Sequence, residues 1–142
     1  MEKFELDNDI PVLYVKADSF PDGIMEAHQK LHSLVPFSAD RRYFGISRPE
    51  DGVIIYKAAA EEINQGEAKK LSLETFVIKE GQYISITIKD YTRDVQSIGK
   101  AFQKLTSQPG IDPNGYCIEW YLPSGKPGLP DKEVRCMIKL AD

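Results

Sequence analysis

The chain has 142 residues, which is enough for one domain with a substantial hydrophobic core. Apolar residues make up 42% of it and charged residues 28%, as is typical of a soluble globular protein. The net charge of −4 argues against a nucleic-acid-binding domain, because such domains usually carry a basic face. Apolar runs are short and residues 1–10 lack the apolar core of a signal peptide, so we expect a cytoplasmic protein without a membrane span.

The first half of the chain predicts a strand, a helix and a hairpin. A strand is expected over residues 12–20, and an apolar stripe at spacings of three and four predicts a helix over 23–35. Asp22 is placed to cap the start of that helix. Two further strands, at 41–47 and 52–60, are predicted to form a hairpin joined through the sequence RPED.

The second half repeats this order after a polar segment, residues 61–70, which we predict to be a mobile connection. Two strands separated at Glu80–Gly81 follow, and the second alternates isoleucine with polar residues, which indicates one buried and one polar face. A second helix, capped by Thr92, is expected to end at Pro109–Gly110. The last strands are expected at residues 115–123 and 133–140, with the loop SGKPGL between them.

Strand, helix, strand, strand therefore occurs twice, which predicts an α+β fold made of duplicated β-α-β-β units. We expect one domain over residues 1–142, with pseudo-repeats at about 11–65 and 71–140. Such units would join in a mostly antiparallel sheet with two helices on one face. A cleft would lie between the halves.

One stretch, GYCIEWYLP at residues 115–123, carries the most informative pattern. Strand alternation places Cys117, Glu119 and Tyr121 on one face. The other face is apolar, and we expect it in the core: it carries Ile118, Trp120 and Leu122. A carboxylate on the first face is costly unless it is solvated, paired or held for a ligand. A structural pairing of Glu119 with Arg42 or Arg135 is the alternative to a ligand role.

Four strings in the chain resemble the gyrase-inhibitor-like (GyrI-like) small-molecule-binding family, which includes effector-binding domains of bacterial transcription activators. These strings are RRYFGIS, GVIIYKAAAEE, KEGQYISITIKDYTRDVQSIGKAFQKL and CIEWYLP. The family features correspond here to Tyr43–Ile46, Tyr56, Gly81–Tyr83, and Glu119 with Tyr121. The resemblance spans roughly residues 10–140, and it depends on the order and spacing of motifs that are each weak alone.

The resemblance implies a pocket between the halves, lined by aromatic side chains, with Glu119 at its base and an aromatic or cationic lipophilic ligand of the multidrug type. The predicted ligand-binding residues are Glu119, Tyr121, Tyr83, Tyr56, Tyr43 and Trp120. Alternation makes Trp120 the weakest of them, because it lies opposite Glu119. Effector-binding domains are usually fused to a helix-turn-helix region, for which this chain has no room. We therefore expect a stand-alone binding protein or regulator without direct DNA binding.

Two other functions remain as alternatives. A hydrolase of electrophilic cytotoxic compounds would use Glu119 as general base, with Tyr121 or Tyr83 as hydrogen-bond donor. A protein-interaction module, binding a topoisomerase, a transcription regulator or a second copy of the chain, is a minor alternative. We expect no cofactor and no metal, since the histidines at 28 and 32 lack a third ligand and the two cysteines form no zinc motif.

Overall fold

The computed structural model describes residues 1–91, 96–122 and 133–141, which form an α+β fold. The chain divides into two compact units. The first unit is Asn8–Lys79, and the second combines Met1–Asp7 with Glu80–Asp142. In chain order the elements are β1 (Glu2–Leu6), β2 (Ile10–Lys16), α1 (Ile24–Leu34), β3 (Tyr43–Glu50), β4 (Val53–Glu61), α2 (Glu67–Leu71), β5 (Glu74–Ile78), β6 (Gly81–Ile88), α3 (Gln96–Thr106), β7 (Cys117–Leu122) and β8 (Glu133–Lys139).

The first unit is a four-stranded antiparallel sheet in the order β3-β4-β2-β5, with α1 against one face. The predicted apolar stripe of α1 does face the sheet, where Ala27 and Leu31 are buried. The core on this face consists of Leu13, Val15, Ala17, Ala27, Leu31, Val35, Tyr56, Ala58, Ala60 and Ala68. The predicted cap is wrong: Gly23 occupies the N-cap position, with no side-chain cap hydrogen bond.

The hairpin of β3 and β4 is tighter than predicted. Its turn is Asp51–Gly52, with positive φ angles of 52° and 80°, which a two-residue hairpin turn requires and which Asp-Gly readily adopts. The strands therefore continue to Glu50 and Val53, and most of the predicted RPED loop lies in β3. Pro49 lies opposite Ile54. In an antiparallel ladder hydrogen-bonded and non-hydrogen-bonded pairs alternate, and this pair is a non-hydrogen-bonded one, so Pro49 needs no N–H donor.

The segment predicted to be mobile contains the short helix α2 instead. Arg41 fixes it: its Nη1 and Nη2 donate to the two carboxylate oxygens of Glu67 over 2.8 and 2.9 Å. The same Nη1 donates to the carbonyl of Glu61 over 2.6 Å. Five residues are too few for a stable isolated helix, so these contacts decide its formation.

The second unit is also a four-stranded antiparallel sheet, in the order β1-β6-β8-β7, with α3 against one face. Ala101 and Leu105 of α3 are buried against this face. The alternation in β6 predicted a polar face opposite α3. That face is not open to solvent at β6, because Tyr83 and Ser85 are only 2% and 3% exposed there. The predicted cap Thr92 and the loop SGKPGL lie outside the described residues.

Each sheet has an edge strand that is adjacent in the chain to a strand of the other unit. β1 precedes β2 in the chain but pairs with β6, and β5 precedes β6 but pairs with β2. Strand, helix, strand, strand is thus present in each unit, while the duplication of the whole arrangement stays a prediction. Within the described residues, no helix combines the length and apolarity that crossing a bilayer would require.

Candidate functional site

The candidate site lies on β7, on the face that α3 covers. The register pairs Glu119 with Cys136 and Trp120 with Arg135. Cys136 belongs to the core under α3, as does the partly buried Tyr121, so Glu119 lies on that face too. Both faces of β7 are therefore buried in part: Ile118, on the Trp120 face, is 3% exposed, and the face with Glu119 packs against the helix.

Glu119 is a buried carboxylate, with 9% of the residue exposed. The phenol of Tyr121 donates a hydrogen bond of 2.5 Å to its Oε1. The ring of Tyr91 lies 6.1 Å from that of Tyr121, tilted by 47°. A negative charge, a phenol and aromatic rings are thus combined beside an apolar core. This arrangement favours a cation that can be desolvated, because charge and ring faces both attract it.

The two thiols beside Glu119 have raised pKa values. Burial, and then the nearby Glu119 charge, raise the pKa of Cys117 to about 11 and that of Cys136 to about 12. At neutral pH both therefore remain thiols, and the thiolate is the reactive form.

The opposite face of the same sheet holds Trp120 and Tyr83. Tyr83 pairs with Lys139 of β8, and Trp120 pairs with Arg135 of the same strand. Lys139 and Arg135 lie on one face of β8, whereas Cys136, the partner of Glu119, lies on the other. The side chains of Tyr83 and Trp120 therefore face away from Glu119. The sheet thus separates Tyr83 and Trp120 from Glu119. It also removes Arg135 as the structural partner of that carboxylate.

The second predicted partner, Arg42, lies in the first unit. Its Nε and Nη2 donate to the carboxylate of Glu61 over 3.0 and 2.7 Å. This forked pair accounts for a large part of the hydrogen-bonding capacity of Arg42.

Tyr43 and Tyr56 also lie in the first unit, on the face that α1 covers. The hydroxyl of Tyr56, a residue 1% exposed, is 2.8 Å from Nε2 of His28. The ring of Tyr43 lies 5.1 Å from that of His32 and stacks on Phe37 at 6.1 Å. The structure thus brings Tyr43 and Tyr56 to one face of their unit, and Glu119 and Tyr121 to one face of theirs.

The histidine pair of α1 has no third metal ligand beside it in the part of the chain described. No group of three His, Cys, Asp or Glu side chains there could hold a metal ion. Burial, and then the neighbouring His32, lower the pKa of His28 to about 4, so it is neutral at pH 7. Its hydrogen bond to Tyr56 gives it a structural role.

Sequence reasoning missed two aromatic residues of the second unit, Tyr91 on the Glu119 face and Phe4 on the opposite face. Tyr91 follows the end of β6, where period-2 alternation no longer assigns a face. Phe4 lies on β1, a strand that was not predicted, although Phe4 and Leu6 alternate with charged residues there. That alternation is the signal that could have identified it.

The comparisons with known proteins establish the fold. No family model matches the chain, and no curated protein shows significant sequence similarity to it. An integron cassette protein from Vibrio cholerae is similar over 98% of this chain and 94% of its own, with a TM-score of 0.70 and 12% identity. A structure of SAV2435 bound to tetraphenylphosphonium is similar over 98% and 92%, with a TM-score of 0.69 and 12% identity.

A third similar structure is a protein from Staphylococcus aureus proposed to regulate bacterial transcription. It is similar over 99% of this chain and 97% of its own, with a TM-score of 0.63 and 11% identity. At such low identity these similarities show a common fold. Neighbours on that fold include a protein bound to a lipophilic cation and a regulator-like protein, which is compatible with a GyrI-like scaffold.

Proposed function

We propose that this protein is a small-molecule-binding protein of the GyrI-like type, and that it holds a lipophilic cation with Glu119 as the counter-charge. The observation that carries the proposal is the burial of Glu119 beside Tyr121 and the α3 core. A desolvated carboxylate is costly, and a bound organic cation would offset that cost without restoring water. Aromatic faces would add roughly 0.5–2 kcal/mol of cation–π attraction.

The similar structures support the ligand class. SAV2435, which shares the fold, is bound to tetraphenylphosphonium, a cation whose charge is enclosed by four aryl groups. Such a ligand matches a site in which one carboxylate is surrounded by apolar and aromatic side chains. The regulator-like neighbour supports a role in regulation.

Tyr121 is the second residue of the proposed site. Its hydroxyl donates to Glu119, which fixes the orientation of the carboxylate, and its ring lies on the same face. Tyr91 is placed to extend this aromatic wall, since its ring is 6.1 Å from that of Tyr121. We assign Tyr83 and Trp120 to the opposite face, and Tyr43 and Tyr56 stay predicted ligand contacts.

Calorimetric titration with tetraphenylphosphonium tests the proposal. We expect saturable binding by the wild type and a dissociation constant at least tenfold higher for Glu119→Gln, which is about 1.4 kcal/mol. Glu133→Gln is the matched control, because it removes the same charge from the other face of the sheet and should leave the affinity unchanged.

A neutral ligand of similar bulk, triphenylphosphine oxide, separates charge from shape. The Glu119→Gln variant should bind it as the wild type does. If the wild type does not bind tetraphenylphosphonium, or if Glu119→Gln binds it equally well, the proposed function is wrong.

A further inference from the structure

A second constellation lies on the face of the second unit that α3 does not cover. The guanidinium carbon of Arg135 lies 4.3 Å from the ring centroid of Phe4 and 5.3 Å from that of Trp120. The two rings meet edge to face, with centroids 5.8 Å apart. Arg135 is half-buried, and its neighbour on this face of β8, Met137, is fully buried. Two rings thus hold one planar cation in place.

Arg135 differs from the other described arginines in its partners. Each of the others forms an ion pair with a carboxylate: Arg41 with Glu67, Arg42 with Glu61, and Arg48 with Glu50. Arg135 makes ring contacts but no hydrogen bond or ion pair with any residue in the described segments. None of its nitrogens is buried without a partner, so its donors reach solvent.

The first unit provides an internal comparison. There Lys57, also on the last strand of a β-α-β-β series, lies 4.6 Å from the ring of Phe76 on the edge strand β5. Burial has the largest effect on that lysine and lowers its pKa, which nearby carboxylates oppose and nearby cations reinforce. A cation over an edge-strand ring therefore occurs in both units.

We propose that Arg135, Trp120 and Phe4 form a binding site for an aryl oxyanion, a carboxylate or phosphate group attached to an aromatic ring. The guanidinium presents paired N–H donors that match either oxyanion in a forked geometry. Phe4 and Trp120 fix its plane, which lowers the entropic cost of binding, and aromatic rings beside the guanidinium suit a ligand that carries a ring of its own. The site is separate from the proposed cation site, because β7 and β8 present Glu119 and Arg135 on opposite faces.

Trp120 is the only tryptophan of the chain, so its fluorescence reports directly on this site. Titration with benzoate and with phenyl phosphate should give a saturable change in tryptophan emission for at least one of them, and the tighter ligand identifies the preferred oxyanion. In Arg135→Met, which keeps an apolar stem over Phe4, the dissociation constant should rise at least tenfold. Arg135→Lys, which keeps the charge but loses the fork, should bind with intermediate affinity.

Lys57→Met is the matched control: it removes the corresponding cation of the first unit and should leave the titration unchanged. Circular dichroism establishes that each variant is folded. The proposal is overturned if neither probe gives a saturable response, or if Arg135→Met responds as the wild type does. An equal loss of affinity in Lys57→Met would also overturn it, since the effect would then be one of net charge.

Discussion

Two opposite charges occupy adjacent pairs on the β7–β8 ladder and face opposite ways. Glu119 pairs with Cys136 under α3, and Arg135 pairs with Trp120 on the other face. A step of one residue along a strand reverses the side-chain direction, so neighbouring positions experience unrelated surroundings. Two ligand chemistries of opposite charge can therefore be based on a single pair of strands without neutralising each other.

His28 predicts how stability depends on pH. Its pKa is about 4 in the folded protein and about 6.5 when unfolded, because burial disfavours the charged form. Between these values the unfolded state binds a proton that the folded state excludes, so stability falls as the pH falls. The loss by pH 4 should reach about 3 kcal/mol. Urea denaturation at stepped pH measures it.

The variant that isolates this effect is His28→Gln, which should flatten the pH dependence between pH 6.5 and 4. His32→Gln is the control on the same helix, and it should keep most of the dependence because burial of His28 is the larger cause. Equal pH profiles for wild type and His28→Gln would contradict the prediction.

At the scale of elements, the ion pair between Arg41 and Glu67 is the buried charged contact that supports α2, beside hydrogen bonds such as that from the Ala68 amide to Glu62. The side chains of Arg41 and Glu67 are 5% and 12% exposed, so Glu67→Gln leaves a buried guanidinium without its carboxylate. We expect a loss of about 2 kcal/mol or more in the free energy of unfolding. Hydrogen exchange should be faster in residues 61–71, and urea denaturation measures the stability.

Glu50→Gln is the matched comparison for that variant. It removes the carboxylate of Arg48, but those side chains are 32% and 40% exposed, so the loss should stay below about 1 kcal/mol. If both variants cost the same, the pair between Arg41 and Glu67 does not hold α2 in place.

The elements that sequence reasoning found are those with long, regular periodicity. The stripe of α1 and the alternating isoleucines of β6 are set by local burial, which a sequence displays directly. Helix α2 could not be found in this way, because its anchor Arg41 is 26 residues distant in the chain. Strand β1 is short and largely exposed, and its partner β6 is far along the chain.

The candidate site was predictable only in part. Alternation along β7 correctly placed Glu119 and Tyr121 together and Trp120 opposite them. The helix on the Glu119 face could not be derived from β7, because either face carries side chains that can be buried. The separation of Tyr83 from Glu119 depends on the register of β6 with β8, which β6 alone does not specify.

At the scale of the whole molecule, each edge strand adjoins the other unit in sequence but pairs within its own unit. β1 is continuous in the chain with the first unit, yet it supplies the outer strand of the second. Deleting residues 1–7 should therefore affect the second unit. The amides of β6 that pair with β1 lose their hydrogen-bond partners, and Arg135 loses its contact with the ring of Phe4.

Hydrogen exchange on the deletion variant measures this effect. Exchange should accelerate in residues 81–88 and remain near the wild-type rate in residues 10–16, because β2 pairs with β4 and β5. Lys3→Ala, an exposed change on β1, is the control and should leave both segments protected. Equal acceleration in both segments would contradict a local role for β1.

Pro49 has a consequence for how the first unit reaches its pairing. Proline is tolerated at this position of β3 because its pair with Ile54 does not require a backbone N–H donor. If β3 slipped by one residue against β4, its odd-numbered residues would have to supply the ladder donors, and Pro49 cannot. The same slip would reverse the side chains of β3, including Phe44 and Ile46, which are fully buried. Pro49 therefore disfavours a misaligned hairpin of β3 and β4.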